Sequence, residues 1–186
     1  MRIISGKLKG KSIFFLKNEK TRPLKDSLKE NIFNILSHSN LIDIEIKNSN
    51  ILDLYSGIGS FGLECISREA RQVTFIEEDI NALKILKKNL NNLSLINRTK
   101  IINDKIENVS FFDKCEKFDI IFLDPPFKDK NFLKNLEFIK FKKIFNKKHI
   151  IIIHREKNSN DKIEKFLNLL FFRKYGRSKI IFGKFN

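Results

Sequence analysis

A chain of 186 residues, 41% of them hydrophobic, is long enough to form one compact domain with a buried core. The charged fraction of 32% and the lack of any apolar run near the roughly 20 residues that span a bilayer argue against a membrane protein, and the first residues do not resemble a secretory signal. Two cysteines without metal-like spacing argue against a disulfide framework or a zinc site, so we expect a cytoplasmic protein with no bound metal.

The net charge of +15 is unevenly distributed. Residues 1–30 carry nine Lys or Arg and three Asp or Glu (+6), residues 128–148 carry eight and two (+6), and residues 173–184 carry five and none (+5). Residues 51–127 carry ten and twelve, which gives −2. Basic flanks around an acidic middle predict a polyanionic partner. Compositional drift in a Lys-, Ile- and Asn-rich chain is the alternative, and it explains the acidic middle poorly.

The first 25 residues predict a basic β-hairpin extension, with strands at residues 2–5 and 11–15 around a turn within Gly6–Gly10. Residues 26–186 form the second predicted domain. It opens with a helix to about Ser37, which Ser27 and Glu30 would begin as a capping box.

From residue 51 the apolar pattern alternates between strand and helix. Strands are predicted at residues 51–54, 72–76, 100–103, 118–123 and 149–153, and helices at residues 60–68, 79–90, 131–139 and 161–167. Apolar runs at 169–172 and 179–182 predict a closing hairpin. The alternation predicts an α/β fold with a mostly parallel, seven-stranded sheet and a C-terminal antiparallel hairpin.

A glycine-rich loop follows the first strand of the alternating region. Gly57-Ile58-Gly59-Ser60-Phe61-Gly62 precedes a helix, and Glu77 ends the next strand. This arrangement is typical of a site for the adenosine of a cofactor: the glycines allow close backbone approach, and the carboxylate accepts hydrogen bonds from ribose hydroxyls. Taken alone, it fits a nicotinamide dehydrogenase equally well.

The four central strands each end in a carboxylate, and strand ends line the ligand crevice of an α/β sheet. A carboxylate beside the glycine loop disfavours a pyrophosphate, which helix N-termini otherwise attract. S-adenosylmethionine has no phosphate and carries two cationic groups, so we predict it as the cofactor. The predicted cofactor-binding residues are Asp53, Gly57, Gly59, Glu77 and Asp104.

The turn Asp124-Pro125-Pro126-Phe127 ends an apolar strand. Proline has no backbone N–H, so the turn is rigid and presents only acceptors. The Asp124 carboxylate and the Pro125 carbonyl could hold both N–H groups of an exocyclic base amine. Phe127 could stack on the base, which is worth about 1–3 kcal/mol. These four residues are therefore predicted to be catalytic, acting by alignment on an unpaired or flipped-out base.

These motifs, together with both termini, resemble a known family. Asp53-Leu54-Tyr55-Ser56-Gly57-Ile58-Gly59 is similar to motif I of class I methyltransferases, and Asp124–Phe127 to their motif IV for exocyclic amines. Motif IV is shared by adenine-N6 DNA enzymes and guanine-N2 RNA enzymes. Arg2-Ile3-Ile4-Ser5-Gly6-Lys7, Arg22-Pro23 and Arg173-Lys174-Tyr175-Gly176 resemble signatures of the RsmD family, bacterial 16S rRNA guanine-N2 methyltransferases.

The resemblance implies a Rossmann-like class I methyltransferase domain that modifies one guanine of 16S rRNA, in the small ribosomal subunit or its assembly intermediate. It implies that Glu77 binds the ribose and Asp104 the adenine amine. We expect a monomer. The RNA-binding residues predicted in the N-terminal extension are Arg2, Lys7, Lys9, Lys11 and Arg22.

The sequence departs from the family pattern at two places. Leu24-Lys25-Asp26-Ser27 replaces the usual Thr-Thr-Asp-Arg, so an expected arginine is missing and the role of this loop is in doubt. His154 stands near a position where the family commonly has Glu. It could be catalytic, but we expect it to be a solvent-exposed residue at a strand end.

Two other functions stay open at this point. An adenine-N6 DNA methyltransferase would share the turn, but the chain is small and has no obvious target-recognition domain. A non-catalytic RNA-binding assembly protein would keep the fold, but the set of Asp53, Gly57, Gly59 and Asp124 is intact.

Overall fold

The computed structural model describes residues 1–15, 24–108 and 117–186. The helices are α1 (Asp26–His38), α2 (Ser60–Ser67), α3 (Ile80–Asn92) and α4 (Phe132–Lys142). The strands are β1 (Asn50–Leu54), β2 (Gln72–Ile76), β3 (Thr99–Ile102), β4 (Phe118–Leu123), β5 (Phe145–Glu156), β6 (Asn168–Tyr175) and β7 (Ser178–Lys184). No helix within these ranges combines the length and apolarity needed to cross a bilayer.

The strands form one sheet in the order β3-β2-β1-β4-β5-β7-β6. Pairing is parallel from β3 to β5 and antiparallel for β7 with both of its neighbours. This confirms the predicted α/β fold with a C-terminal antiparallel hairpin. The strand order reverses between β1 and β4, where a crevice opens at the carboxyl ends of the strands.

Helices cover both faces of the sheet, which is why its central strands read as continuous apolar runs. All five residues of β1 are buried, as are residues 149–155 of β5. On one face Phe61 stacks between Phe33 and Phe122, with ring centroids 5.2 and 4.1 Å away. On the other face α4 buries Phe132, Leu136 and Ile139.

Two local predictions were wrong. Residues 161–167 form only a short 3-10 turn, Ile163–Lys165, and Asp161, at the start of the predicted helix, is instead held by an ion pair with Arg155. The predicted capping box is absent: α1 begins at Asp26, one residue before Ser27, and its N-cap, Lys25, makes no side-chain capping bond.

Residues 1–15, here called the N-terminal strap, pack against α2. The predicted hairpin is reduced to a turn with a single bridge between Arg2 and Ser12. The buried Glu64 carboxylate accepts hydrogen bonds from the N–H groups of Ile4 (2.7 Å) and Ser5 (2.9 Å). A domain boundary at residue 25 stays a prediction.

Candidate active site

A cavity of about 980 Å³ opens at the carboxyl ends of β1, β2 and β4. Its wall contains seven of the predicted catalytic and cofactor-binding residues, drawn from four parts of the chain. These are Gly57, Glu77, Asp104, Asp124, Pro125, Pro126 and Phe127. The structure therefore brings the predicted cofactor loop and the acceptor-only turn together in one space.

Glu77 is fixed at the cavity wall by backbone amides. The N–H of Gly57 donates to Glu77 Oε2 (2.7 Å), and the N–H of Asp79 donates to Oε1 (2.8 Å). Burial raises the pKa of this carboxyl, while the two amide bonds oppose that rise. Each carboxylate oxygen has a second lone pair, so Glu77 can still accept ribose hydroxyls while it orders the glycine loop.

The glycine loop has a left-handed backbone at two positions, with φ of +53° at Gly57 and +83° at Gly59. A Cβ on Gly59 would also lie 2.4 Å from Leu86 Cδ1, so a side chain there would add a displacement of Leu86 to the backbone strain. Gly59 precedes α2 and is not part of the cavity wall. It shapes the loop, whereas Gly57 faces the cavity.

The predicted rim of four carboxylates was wrong at Asp53, whose side chain is not part of the cavity wall. It is 1% exposed, and its Oδ2 accepts the N–H of Gly62 (3.0 Å) at the start of α2. Burial raises its pKa well above the usual range. Asp53 lies within β1, one residue before its end, so its carboxyl packs beneath the loop. A cofactor role for Asp53, acting through the loop, stays a prediction.

Asp104 lies beyond β3, where its Oδ1 accepts the N–H of Lys105 (2.7 Å) and the side-chain amide of Asn108 (3.2 Å). It is half-buried and forms part of the cavity wall. The two bonds fix the carboxylate at the far side of the cavity from the turn at Asp124.

His154 was wrongly expected to be exposed. Its residue is only 8% exposed, because β7 pairs with β5 alongside it. Its Nδ1 is 2.7 Å from Asp124 Oδ1, and its Nε2 is 2.8 Å from the hydroxyl of Ser178. The histidine therefore contacts the residue at the centre of the predicted chemistry.

Arg155 is a functional residue that the sequence reasoning missed. It is 1% exposed, and its guanidinium donates to the carbonyls of Pro126 (3.1 Å), Phe127 (3.0 Å) and Asp129 (3.2 Å). An ion pair with Asp161 (2.8 Å) balances its charge. The one sequence signal was an arginine at the end of a buried apolar strand, which needs an internal partner.

Three further residues of the cavity wall were also missed. Tyr55 has a left-handed φ of +55°, and its hydroxyl accepts a hydrogen bond from the Asn135 side-chain amide (2.7 Å). Burial raises the pKa of Tyr55. The buried Ser56 hydroxyl has no hydrogen-bond partner among the described residues. The position of Tyr55 and Ser56 between β1 and Gly57 was the available signal.

The charge of the cavity wall is mainly negative. Seven carboxylate residues face two lysines: Glu77, Glu78, Asp79, Asp104, Glu107, Asp124 and Asp129 against Lys105 and Lys128. Together with the unpartnered Ser56 hydroxyl, this donor and acceptor set fits a cationic ligand that carries hydroxyl and amino groups. S-adenosylmethionine is such a ligand.

The four predicted RNA-binding residues that the structure describes are not part of the cavity wall. Arg2, Lys7, Lys9 and Lys11 are exposed on the N-terminal strap, and Lys7 pairs with Glu69 (2.7 Å). Arg22 lies outside the described residues. No cluster of His, Cys, Asp and Glu side chains able to hold a metal ion is found in the part of the chain that the structure describes.

Comparison with known proteins gives concordant matches. The family model described as "Conserved hypothetical protein 95" matches residues 1–184. "Ribosomal RNA small subunit methyltransferase D" of Buchnera aphidicola subsp. Acyrthosiphon pisum is 34% identical over 158 residues, which are 85% of this chain and 79% of the relative. The protein of the same name from Buchnera aphidicola subsp. Baizongia pistaciae is 35% identical over 164 residues, 88% and 79% of the two chains.

The fold has close counterparts among solved structures. The yhhF protein of Escherichia coli, whose description names a methyltransferase, superposes with a TM-score of 0.80 at 24% identity. The match covers 100% of this chain and 98% of that one. At this identity the likeness establishes the fold, including the antiparallel end of the sheet.

Proposed function

We propose a function for this chain, which belongs to the RsmD family of ribosomal RNA small subunit methyltransferases. It methylates the exocyclic N2 of one guanine in 16S rRNA, with S-adenosylmethionine as the methyl donor. The acceptor in this proposal is the small ribosomal subunit or its assembly intermediate. The single observation that carries the proposal is that Asp124–Phe127 and Glu77 share one cavity wall.

The residues at one end of the cavity suit the cofactor. Glu77 would accept the ribose hydroxyls, Asp104 the adenine amine, and Gly57 would allow close backbone approach. The Ser56 hydroxyl offers a further polar contact. When bound, S-adenosylmethionine supplies a methyl group on a positively charged sulfur, which is a good leaving group.

The turn at the other end suits an amino group on a planar base. The Asp124 carboxylate and the Pro125 carbonyl would accept its two N–H groups, which directs the nitrogen lone pair toward the methyl group. Phe127 would stack on the base. No strong base is needed, because the nitrogen becomes acidic once the new bond forms, and the Asp124 carboxylate could then accept its proton. Alignment of this kind corresponds to effective molarities of about 10⁵–10⁸ M.

The proposal is tested with purified protein, labelled S-adenosylmethionine and small-subunit particles that lack the modification. Nucleoside mass spectrometry of the product RNA should find N2-methylguanine. Methylation only of adenine in DNA would contradict the RNA assignment. Cofactor binding without any transfer to particles or DNA would instead indicate a non-catalytic assembly protein.

A further inference from the structure

We propose that His154 is a positioning residue for the methyl transfer, holding the Asp124 carboxylate and the Phe127 ring, and that Ser178 supports the other side of its imidazole. The inference rests on the proposed function and adds two residues to that site. His154 and Ser178 lie on β5 and β7, outside both of the motifs that carried the functional prediction.

The hydrogen-bond chain determines which ring nitrogen carries the proton. A carboxylate only accepts, so the 2.7 Å contact with Asp124 Oδ1 places the N–H of a neutral imidazole on Nδ1. The other nitrogen, Nε2, is then an acceptor, and the Ser178 hydroxyl 2.8 Å away donates to it. Because a hydroxyl both donates and accepts, Asp124 sets the tautomer and Ser178 follows it, which holds the far side of the imidazole ring in place.

The contact orients a carboxylate that would otherwise be free to rotate. The Asp124 side chain is 23% exposed and stands at the start of a turn, whereas the His154 side chain is 10% exposed and packed inside the sheet. With Oδ1 engaged by His154, Oδ2 is the oxygen left to accept an N–H of the base amine. The geometry therefore commits Asp124 to the acceptor role that alignment of the nitrogen requires.

The same imidazole also packs against the aromatic end of the turn. The rings of His154 and Phe127 meet edge to face, with centroids 5.4 Å apart and an interplanar angle of 81°. One buried side chain thus contacts both the hydrogen-bonding and the stacking group of the turn. Its loss should disturb base alignment more than cofactor binding, since Glu77 and Asp104 lie at the other end of the cavity.

Two substitutions of His154 test the roles of its two ring nitrogens separately. In His154→Asn the side-chain amide can occupy the Nδ1 position and still donate to Asp124. In His154→Gln it reaches the Nε2 position, contacts Ser178 and leaves Asp124 without its donor. We expect kcat to fall roughly 10²-fold in His154→Gln, the scale of a 1 Å misplacement, and only several-fold in His154→Asn and Ser178→Ala. The Kd for S-adenosylhomocysteine should stay within about threefold of wild type in all three.

Equal losses in the two His154 variants, or a parallel loss of cofactor affinity, would show a structural role and overturn the inference. A second measurement is independent of turnover: ¹⁵N NMR of the intact protein should find the His154 proton on Nδ1 in the wild type and, because Asp124 still accepts it, in Ser178→Ala as well. A proton on Nε2 in the wild type would overturn the inference even if the enzyme is active. Absence of transfer by the wild type, with the proton on Nδ1, would instead overturn the proposed function and leave the pairing of His154 with Asp124 established.

Discussion

Single residues in the cavity are held by hydrogen bonds that leave acceptor capacity for a ligand. Glu77 is held by two backbone amides and Asp124 by an imidazole. Arg155 donates to two carbonyls of the turn, those of Pro126 and Phe127, and to the carbonyl of Asp129 just beyond it. A preoriented acceptor needs little reorganisation when the substrate arrives, which is how such groups contribute to rate.

The proposed cofactor end and the proposed base end of the cavity give a first prediction. Glu77→Ala removes a charged acceptor and frees the N–H of Gly57, so the Kd for S-adenosylhomocysteine should rise roughly 10- to 100-fold, the equivalent of about 1.5–3 kcal/mol. Asp124→Ala should abolish methyl transfer while leaving that Kd nearly unchanged. Calorimetry and single-turnover assays on the two variants measure both effects. Similar losses of affinity in the two variants would place Asp124 in the cofactor site instead.

The sequence predicted residue types better than side-chain directions. It identified Asp53, Glu77, Asp104 and Asp124 as strand-end carboxylates. Asp53, however, lies one residue before the end of β1, and its side chain packs beneath the glycine loop. It also missed the burial of His154, because that burial comes from β7, which is more than twenty residues later in the chain. Long-range strand pairing determines exposure at such positions, and local pattern does not reveal it.

The N-terminal strap and the glycine loop are separate elements joined by one side chain. Asn89 on α3 is 1% exposed. Its Oδ1 accepts the N–H of Phe14 (2.7 Å), and its Nδ2 donates to the carbonyls of Phe14 (3.1 Å) and Ile58 (3.2 Å). Because Ile58 stands between Gly57 and Gly59, the strap and the cofactor loop share a support.

This shared support gives a second prediction. Asn89→Leu leaves three backbone groups without their partner: the buried carbonyl of Ile58 and the two part-buried groups of Phe14. A buried unpaired group costs about 1–3 kcal/mol, so the free energy of unfolding should fall by at least that amount. Asn89→Asp retains the acceptor for Phe14 and should lose less. The cofactor Kd should rise in both variants. Asn91→Ala, at an exposed position on the same helix, is the matched control for denaturant unfolding and calorimetry. An unaltered Kd in Asn89→Asp would show that the hydrogen bond from Asn89 to Ile58 does not support the loop.

The elements that the sequence predicted best are those with the strongest burial pattern. The predicted bounds of β2 and β4 match the structure, since both strands are apolar runs ended by polar residues. Residues 161–167 had helical spacing, but Asp161 is held by Arg155, and the core takes Ile163 from a 3-10 turn and Leu167 from the residues that follow it. Tertiary contacts overrode local propensity there.

At the scale of the whole molecule, the C-terminal end is tied to the sheet by a buried histidine that must stay neutral. His149 Nδ1 donates to the carbonyl of Asn146 (2.8 Å), and its Nε2 accepts the N–H of Phe185 (2.8 Å). A protonated ring could not accept that bond. Burial lowers the pKa of His149 below its usual value.

The lowered pKa gives a third prediction, on stability against pH. Below the unfolded value near 6.5, the unfolded chain binds a proton that the folded chain does not, so the contribution of His149 is present above about pH 6.5 and is lost as the pH falls. The free energy of unfolding should therefore fall more steeply between pH 7 and pH 5 in the wild type than in His149→Gln, which cannot titrate. Denaturant titrations at several pH values measure the free energy of unfolding of both proteins. The contributions of titrating carboxylates are the same in both, so they cancel in the comparison. Parallel slopes would mean that His149 titrates as in the unfolded chain.

The basic exterior and the acidic cavity suit different ligands. Surface cations attract a polyanion over long distances, whereas a cationic cofactor is bound by carboxylates close to it. If the exposed cations of the N-terminal strap contact phosphates, RNA affinity should fall with salt concentration. The slope of the logarithm of the binding constant against the logarithm of the salt concentration should become shallower by about 0.7–0.9 for each phosphate contact removed. The variant that removes these contacts combines Arg2→Ala, Lys9→Ala and Lys11→Ala. Lys7→Ala should change the slope less, because Lys7 already pairs with Glu69. Binding isotherms at several salt concentrations decide this, and a slope unaltered by the triple substitution would assign the strap charges to composition alone.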